Sequence, residues 1–406
     1  MNPFPMVLAD LRALRGTGLV TTLLIGLAVA IGIAVGAQER ALRQSSARAA
    51  ADFPLVIGAP SSQTQLILTS VYLQLEALPL VPGTTLRDLA ADQHVAGAAP
   101  LAYGDVALGY PIVGTTLDFV TRWGRIAPVE GRVFEREGEV VIGADVKLPI
   151  GGEIAPSHGA SDAQPGREGE GEHAHRHAAR YVVVGRLPRV NAPWDRAILA
   201  PVESVWETHG LGDGHSGAEG QIGPPFVDPP GVPVIVVKPR TVADAYRLRA
   251  QYRQGGTMAV FPAEVLTSLY GAIGDLRDLV VAIAALNNVV VLLAVTLLLV
   301  TLAGARRKRY AMLRAMGASR TYIALVVWLT GSALVAAGCI LGLGLGWAGS
   351  AAVSTLLQAR TGLALSPRPG SDEIALCATI FGVGAALSLI AALMTARLRT
   401  WETLRS

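Results

Sequence analysis

Seven histidines stand in this chain of 406 residues, and all of them (His94, His158, His173, His175, His177, His209 and His215) fall between positions 94 and 215. Three alternate in the run Glu170 to Arg180, EGEHAHRHAAR. Neutral imidazole is a good ligand for zinc, copper or nickel, and an i, i+2, i+4 spacing in a loop brings several rings within reach of one ion. His158, Asp162, Glu168, Glu170 and Glu172 stand close by, so a tetrahedral site can be assembled locally. A second set combines His209 and His215 with Glu207 and Asp213 in WETHGLGDGH. The expectation is weak, exchangeable binding of zinc or another transition metal. A catalytic metal site would need the rigidity of an H-E-x-x-H helix, which this run lacks. A polar insertion whose histidines bind nothing is the competing reading.

Other catalytic chemistry finds little support. A P-loop needs G-x-x-x-x-G-K-[ST], but Lys147, Lys238 and Lys308 are followed by Leu, Pro and Arg. Serines are plentiful, yet no G-x-S-x-G elbow accompanies them. The chain is therefore expected to be no enzyme, and ATP-driven work would fall to a separate subunit.

The elements that position these residues follow from hydropathy. Hydrophobic residues make up 51% and charged ones only 16%, and the mean hydropathy is +0.44. A bilayer core of about 30 Å needs about 20 apolar residues of helix. Four uncharged runs are long enough: 18–37, 279–303, a third from Tyr322 to about Ala359, and 374–396. The third exceeds one span, so it either continues as helix beyond the bilayer or folds back near Gly349.

Arg12 and Arg15 precede the first run, Arg306 to Arg320 separate the second and third, and Arg397, Arg399 and Arg405 end the chain. The positive-inside rule places all three segments in the cytoplasm. The expected fold class is thus an α-helical membrane protein with four transmembrane helices and a mixed α/β extracytoplasmic domain inserted between helices 1 and 2. Its parts are a lead-in and first helix at 1–37, the external domain at 38–278, the second helix at 279–303 and a cytoplasmic loop at 304–321. The third helix at 322–357, the fourth at 374–396 and a tail at 397–406 complete it. A cleaved signal peptide ending at Ala28-Val29-Ala30 is the competing reading of the first run, but the apolar segment is long and no helix breaker leads into it. Cys339 and Cys377 both lie inside spans, so the external domain has no disulfide. The basic balance, with pI near 9.0, reads as topology rather than nucleic-acid binding.

In the external domain, Val- and Ile-rich runs bounded by Gly or Pro predict strands at Phe53 to Ala59, Tyr110 to Thr116, Glu139 to Ala144, Arg180 to Leu187, Arg196 to Pro201 and Val232 to Pro239. Thr241 to Gln254 reads as a Thr-capped helix and Leu86 to Gln93 as a shorter one. Residues 155–179, which carry the histidine run, and 210–230 read as loops. A stalk helix over 262–278 runs into the second span without a breaker. The spans contain no Asp, Glu, Lys, Arg or His, so ion-coupled transport has no evident machinery there. Gly338, Gly342 and Gly346 form a ladder that lets helices approach closely, within one chain or at a dimer seam.

The segment Ala305 to Ser319, ARRKRYAMLRAMGAS, places Met312, Leu313 and Met316 beside Arg306, Lys308, Arg309 and Arg314. That is a short amphipathic helix suited to a partner groove, or a basic interfacial helix on anionic lipid. Following the second of four spans, it resembles the cytoplasmic loop of the MacB/FtsX/LolC-type ABC transporter permeases, which reads like ERRREIAILRALGAS. Arg306, Arg307, Ala311, Leu313, Arg314, Ala315, Gly317, Ala318 and Ser319 match; Ala305 and Arg309 stand where acidic residues are common. YPIVGTT, GRVF, EVVIGADV and YVVVGRL look like that family's external strands. SSQTQLILTSVYLQ and APVESVWETHG further resemble a branch with a His-rich external loop, which implies a metal-related substrate.

The resemblance implies a permease subunit in the bacterial inner membrane, acting as a homodimer or heterodimer. ATP and Mg would be bound by a partner ABC ATPase docked on Arg306, Arg307, Met312, Leu313, Arg314, Met316 and Gly317. The external domain would act on an envelope substrate, metal-related or a lipoprotein, with a periplasmic or lipoprotein partner. The alternatives are an FtsX-like regulator of a periplasmic enzyme and a metal-sensing membrane protein.

Overall fold

The structure, a computed structural model, describes residues 2–74, 76–158, 180–216, 220–305, 307–361 and 370–396. The chain opens with α1 (Phe4–Ala13) and the 36-residue α2 (Arg15–Ala50), followed by β1 (Leu55–Gly58), α3 (Gln63–Tyr72) and α4 (Gly83–Ala91). Next come β2 (Val95–Ala107), β3 (Tyr110–Thr115), α5 (Leu117–Val120), β4 (Glu130–Gly131), β5 (Glu139–Ile142), β6 (Glu153–Ile154) and β7 (Ser157–His158). Then follow β8 (Tyr181–Arg186), β9 (Ile198–Pro201), α6 (Val202–Thr208), β10 (Val234–Pro239), α7 (Val242–Gln251) and β11 (Met258–Val260). The last part is helical: α8 (Pro262–Ala305), α9 (Arg307–Ala315), α10 (Arg320–Thr361) and α11 (Ser371–Ala396). Contacts divide it into two compact units, one of 1–42, 272–356 and 365–406, the other of 43–271 and 357–364.

The second unit is built on one sheet in the order β11-β1-β10-β2-β3-β9-β5-β8-β4, with β6 on β8 and β7 on β2. The β3–β9 and β5–β8 pairs are parallel and the other pairs antiparallel. Its strands bury both faces, so their Val- and Ile-rich runs alternate between two cores. Ile235 and Val237 of β10 join Leu55 and Ile57 of β1 in one core. Val234 and Val236 join Val56 and Val260 in the other. Val56 lies opposite both Val236 and Val260 in register.

Each predicted strand appears within its stated run, but the longest strand, β2, is not among the predictions. Its sequence, VAGAAPLAYGDVA, is poor in the β-branched and aromatic residues that mark strands. Small residues suit its neighbours: a β-carbon on Gly97 would stand 2.6 Å from Trp123 Cζ3. Thr241 does cap α7, its side chain accepting from Asp244 N while the Asp244 carboxylate accepts from Thr241 N, a capping box. Where α2 ends, Asp52 pairs with Arg122, 3.1 Å away, and with Arg125. Arg122 is buried, its guanidinium 4.3 Å from the Phe119 ring centre and 5.1 Å from that of Trp194. Burial lowers its pKa to about 10, with Asp52 and Asp195 opposing that shift.

In the first unit the glycine ladder packs inside the chain. A β-carbon on Gly338 would meet Ile25, on Gly342 Val29 and on Gly346 Ile33, each within 3.0 Å. Gln38 Nε2 donates to Ser350 O at 2.7 Å and to Ser354 Oγ at 3.1 Å. Arg40 pairs with Glu373 and with Asp372 at 3.3 Å. Gly349 lies inside α10, which continues as helix rather than folding back.

Among the described residues, three helices are long and apolar enough to cross a membrane: Arg15–Ala50, Arg320–Gln358 and Ser371–Met394. The remaining expected span, 279–303, falls within the 44-residue α8, many of whose side chains lie outside the described set.

Candidate functional site

The segment that carries the basic motif folds as α9, a turn and the start of α10, and its sequence explains that corner locally. Ala318 N donates to Leu313 O and Gly317 N to Arg314 O, both at 3.0 Å, the paired bonds of a Schellman stop. Such a stop needs a left-handed residue, and Gly317 has φ +99°. Two residues on, Ser319 Oγ accepts from Tyr322 N at 3.1 Å and so caps α10. The Gly-Ala-Ser ending of the motif therefore terminates one helix and starts the next. Gly317, expected among the docking residues, acts as the stop.

The apolar knob expected at Met312, Leu313 and Met316 is divided. Leu313 packs with Tyr310, Ile323, Val327 and Ala392. Met312 and Met316, at i and i+4 on one face, are 58% and 76% exposed. Arg309 Nη1 lies 3.4 Å from Oδ1 of the buried Asp10. Arg314 is half-buried and the side chain of Arg307 lies outside the described residues, as does Arg306 altogether.

Among the described residues the histidines are not gathered. His173, His175 and His177 lie outside the described residues; His158 is described only as backbone, paired with Asp105 across β7 and β2. The His209 Nδ1–H donates to Val205 O, one turn back, at 2.7 Å. His215 is buried, stacks on Phe226 with centres 5.4 Å apart, and stands 3.4 Å from Glu203 Oε1. Among the described residues no three His, Cys, Asp or Glu side chains are arranged to hold a metal ion. The rings of His209 and His215 have local partners, and Glu207 turns to another carboxyl.

That carboxyl is Glu137, a residue the sequence did not single out. It hydrogen-bonds Glu207, and burial, that bond and the charges of Glu207, Glu203 and Asp213 raise its pKa to about 7. The loop bearing it is tied to α6 by Gly138 N donating to Ser204 Oγ at 3.1 Å. Two residues on, Glu139 is held at about 2, chiefly by its hydrogen bond to Arg132. Burial also raises the Glu203 carboxyl.

Residues 281–404, which include α9, α10 and α11, match the family described as FtsX-like permease C-terminal. Over those residues the chain is similar to the FtsX-like permeases. No curated protein matches it. Among solved structures, the periplasmic region of MacB from Actinobacillus actinomycetemcomitans is similar at 9% identity, covering 54% of this chain and 94% of that one, with a TM-score of 0.33. The extracellular domain of the noncanonic ABC-type transporter YknZ from Gram-positive bacteria is similar at 10% identity, covering 51% and 98%, with a TM-score of 0.30. The matched segment holds the Schellman corner, the exposed methionine pair and the glycine ladder of α10 together.

Proposed function

We propose that this permease is the membrane subunit of an ABC-type complex and that α9 docks a separate ATPase, which binds ATP and Mg. One observation carries the reading: α9 is fixed on one side by Tyr310 and Leu313 while Met312 and Met316 stand exposed on the other. Methionine is flexible and polarizable, suited to filling a partner's groove. Arg309 and Arg314 add positive charge to the helix.

In this reading the chain crosses the inner membrane four times, with both termini in the cytoplasm and residues 38–278 outside. ATP-driven movement of the spans would act on an envelope substrate, metal-related or a lipoprotein, through a homodimer or heterodimer of permeases. The long helices α2 and α8 support that reading, each extending well past the roughly 20 residues a bilayer requires.

The test is purification of the full chain from its native membranes and a search for a co-purifying ABC ATPase, followed by Met316→Glu and Arg314→Glu. Loss of the ATPase with the fold retained supports docking. Retention of it in both variants, or absence of any ATPase, refutes docking. Flotation with vesicles of anionic lipid, unchanged by Met316→Glu, separates docking from simple adhesion to the membrane surface.

A further inference from the structure

The second unit contains a cavity of about 520 Å³ whose lining includes Leu80, Tyr103, Val106, Val205, Trp206 and Leu211. That size lies within the roughly 300–1,000 Å³ of small-molecule sites. The apolar lining does not close over: Leu80 and Leu211 are 57% and 53% exposed. Two polar atoms in the lining residues lack a protein partner, the buried Tyr103 Oη and the Nε1–H of Trp206, a side chain only 1% exposed. Buried polar atoms are almost always hydrogen-bonded, so two unpaired ones on residues that line one cavity point to an occupant that pairs with them.

We infer that this cavity binds a neutral small molecule with a hydrocarbon body and a carbonyl or hydroxyl oxygen. The chemistry of the lining sets the class. Trp Nε1 is a donor only, so the occupant must supply an acceptor. Burial raises the Tyr103 phenol well above its ordinary value, which keeps it a neutral hydroxyl able to donate or accept. Glu76, exposed among the lining residues, disfavours an anion. Medium-chain acyl esters and alcohols meet these demands; fatty acids do not. The inference concerns binding alone and is independent of whether an ATPase docks on α9.

The test uses the full chain in detergent with a photoreactive medium-chain monoacylglycerol bearing an alkyl diazirine, and the matching fatty acid as the charged arm. After irradiation, peptides containing residues 102–106 and 205–211 should carry the ester probe and far less of the acid. Val106→Trp, at a partly exposed wall position, should reduce labelling about tenfold or more. Trp206→Phe and Tyr103→Phe, which keep the rings and remove one polar group each, should each reduce it about three- to fivefold. Unlabelled cavity peptides would mean that water alone satisfies the two groups and would overturn the inference. So would equal labelling by the acid, or unchanged labelling in all three variants. Should Val106→Trp lower the unfolding temperature, the two phenylalanine variants decide the question.

Discussion

A β-carbon added to Gly342 of α10 would stand 2.6 Å from Cβ of Val29 on α2 and 2.7 Å from the Gly26 carbonyl oxygen. Backbone meets side chain there with no room to spare. Gly342→Val should therefore lower the stability of the full chain in detergent by about 1–3 kcal/mol, through overpacking. Gly344 has nothing within 4 Å of its added β-carbon. Gly344→Ala should be neutral or stabilising by up to about 1 kcal/mol, as the helix loses a residue with excess backbone freedom. Thermal unfolding of the two variants side by side checks the pair.

The division of α9 separates binding from folding. Met316→Glu should weaken ATPase association by roughly 2 kcal/mol, a loss of about thirtyfold, with no change in unfolding temperature. Leu313→Ala should do the reverse in the isolated chain, costing about 1–2 kcal/mol of stability, below the range for a fully buried leucine. Gly317→Ala forces a β-carbon into a left-handed turn and should cost about 1–2 kcal/mol. Binding isotherms against the ATPase, paired with melting curves, distinguish the three.

Glu137 gives the second unit a stability that depends on pH. Its pKa rises from 4.5 to about 7 in the folded state, so between those values the folded chain holds a proton that the unfolded chain has released. This contribution is complete below about 4.5 and is lost as the pH rises through about 7. Glu139 works in the opposite sense, its contribution being lost as the pH falls through about 2. Glu137→Gln should flatten the dependence between about pH 5 and about pH 8. Melting temperatures across that window that keep the same slope in the variant would remove this account.

Zinc binding, proposed from the sequence, divides the histidines into two groups. Changing His173, His175 and His177 together to Ala should weaken zinc binding by the full chain about tenfold or more in equilibrium dialysis. His215→Ala should leave zinc affinity alone and lower the unfolding temperature, because the ring stacks on Phe226 beside Glu203. Equal zinc binding by the triple variant and the parent chain refutes a role for the loop.

Much of this architecture is legible in the sequence because the residues concerned act locally. The Val-Ile-Val-Val run of β10 and the Thr241 cap follow from strand and capping preferences that need no distant partner. β2 was missed because a central strand of alanines and glycines is dictated by what packs on it, such as Trp123 over Gly97. The same limit governs the sites. Periodicity found the α9 helix, yet only the packing of Tyr310 and Leu313 against α10 and α11 separates the buried leucine from the exposed methionines. His215 reads as a candidate ligand from Asp213 beside it in sequence, which accepts from its backbone N–H, whereas the neighbours of its ring, Glu203 and Phe226, are visible only in the fold. Glu137 had no signal at all, since its pKa depends on Glu207, seventy positions later.

Gln38 and Arg40 lie two positions apart near the end of the first unit's share of α2, and between them they grip Ser350 and Ser354 of α10 and Asp372 and Glu373 of α11. Together with the glycine ladder, they fasten the start of the chain to its last two helices through contacts made wholly within that unit. Residues 43–271 are therefore an insertion between segments that already contact each other within the first unit. Lengthening an insertion is cheap, since each doubling of a flexible loop adds only about 0.6 kcal/mol of closure entropy. A bundle fastened in this way can host insertions of different length, and should re-form from two separately expressed pieces cut inside the insertion.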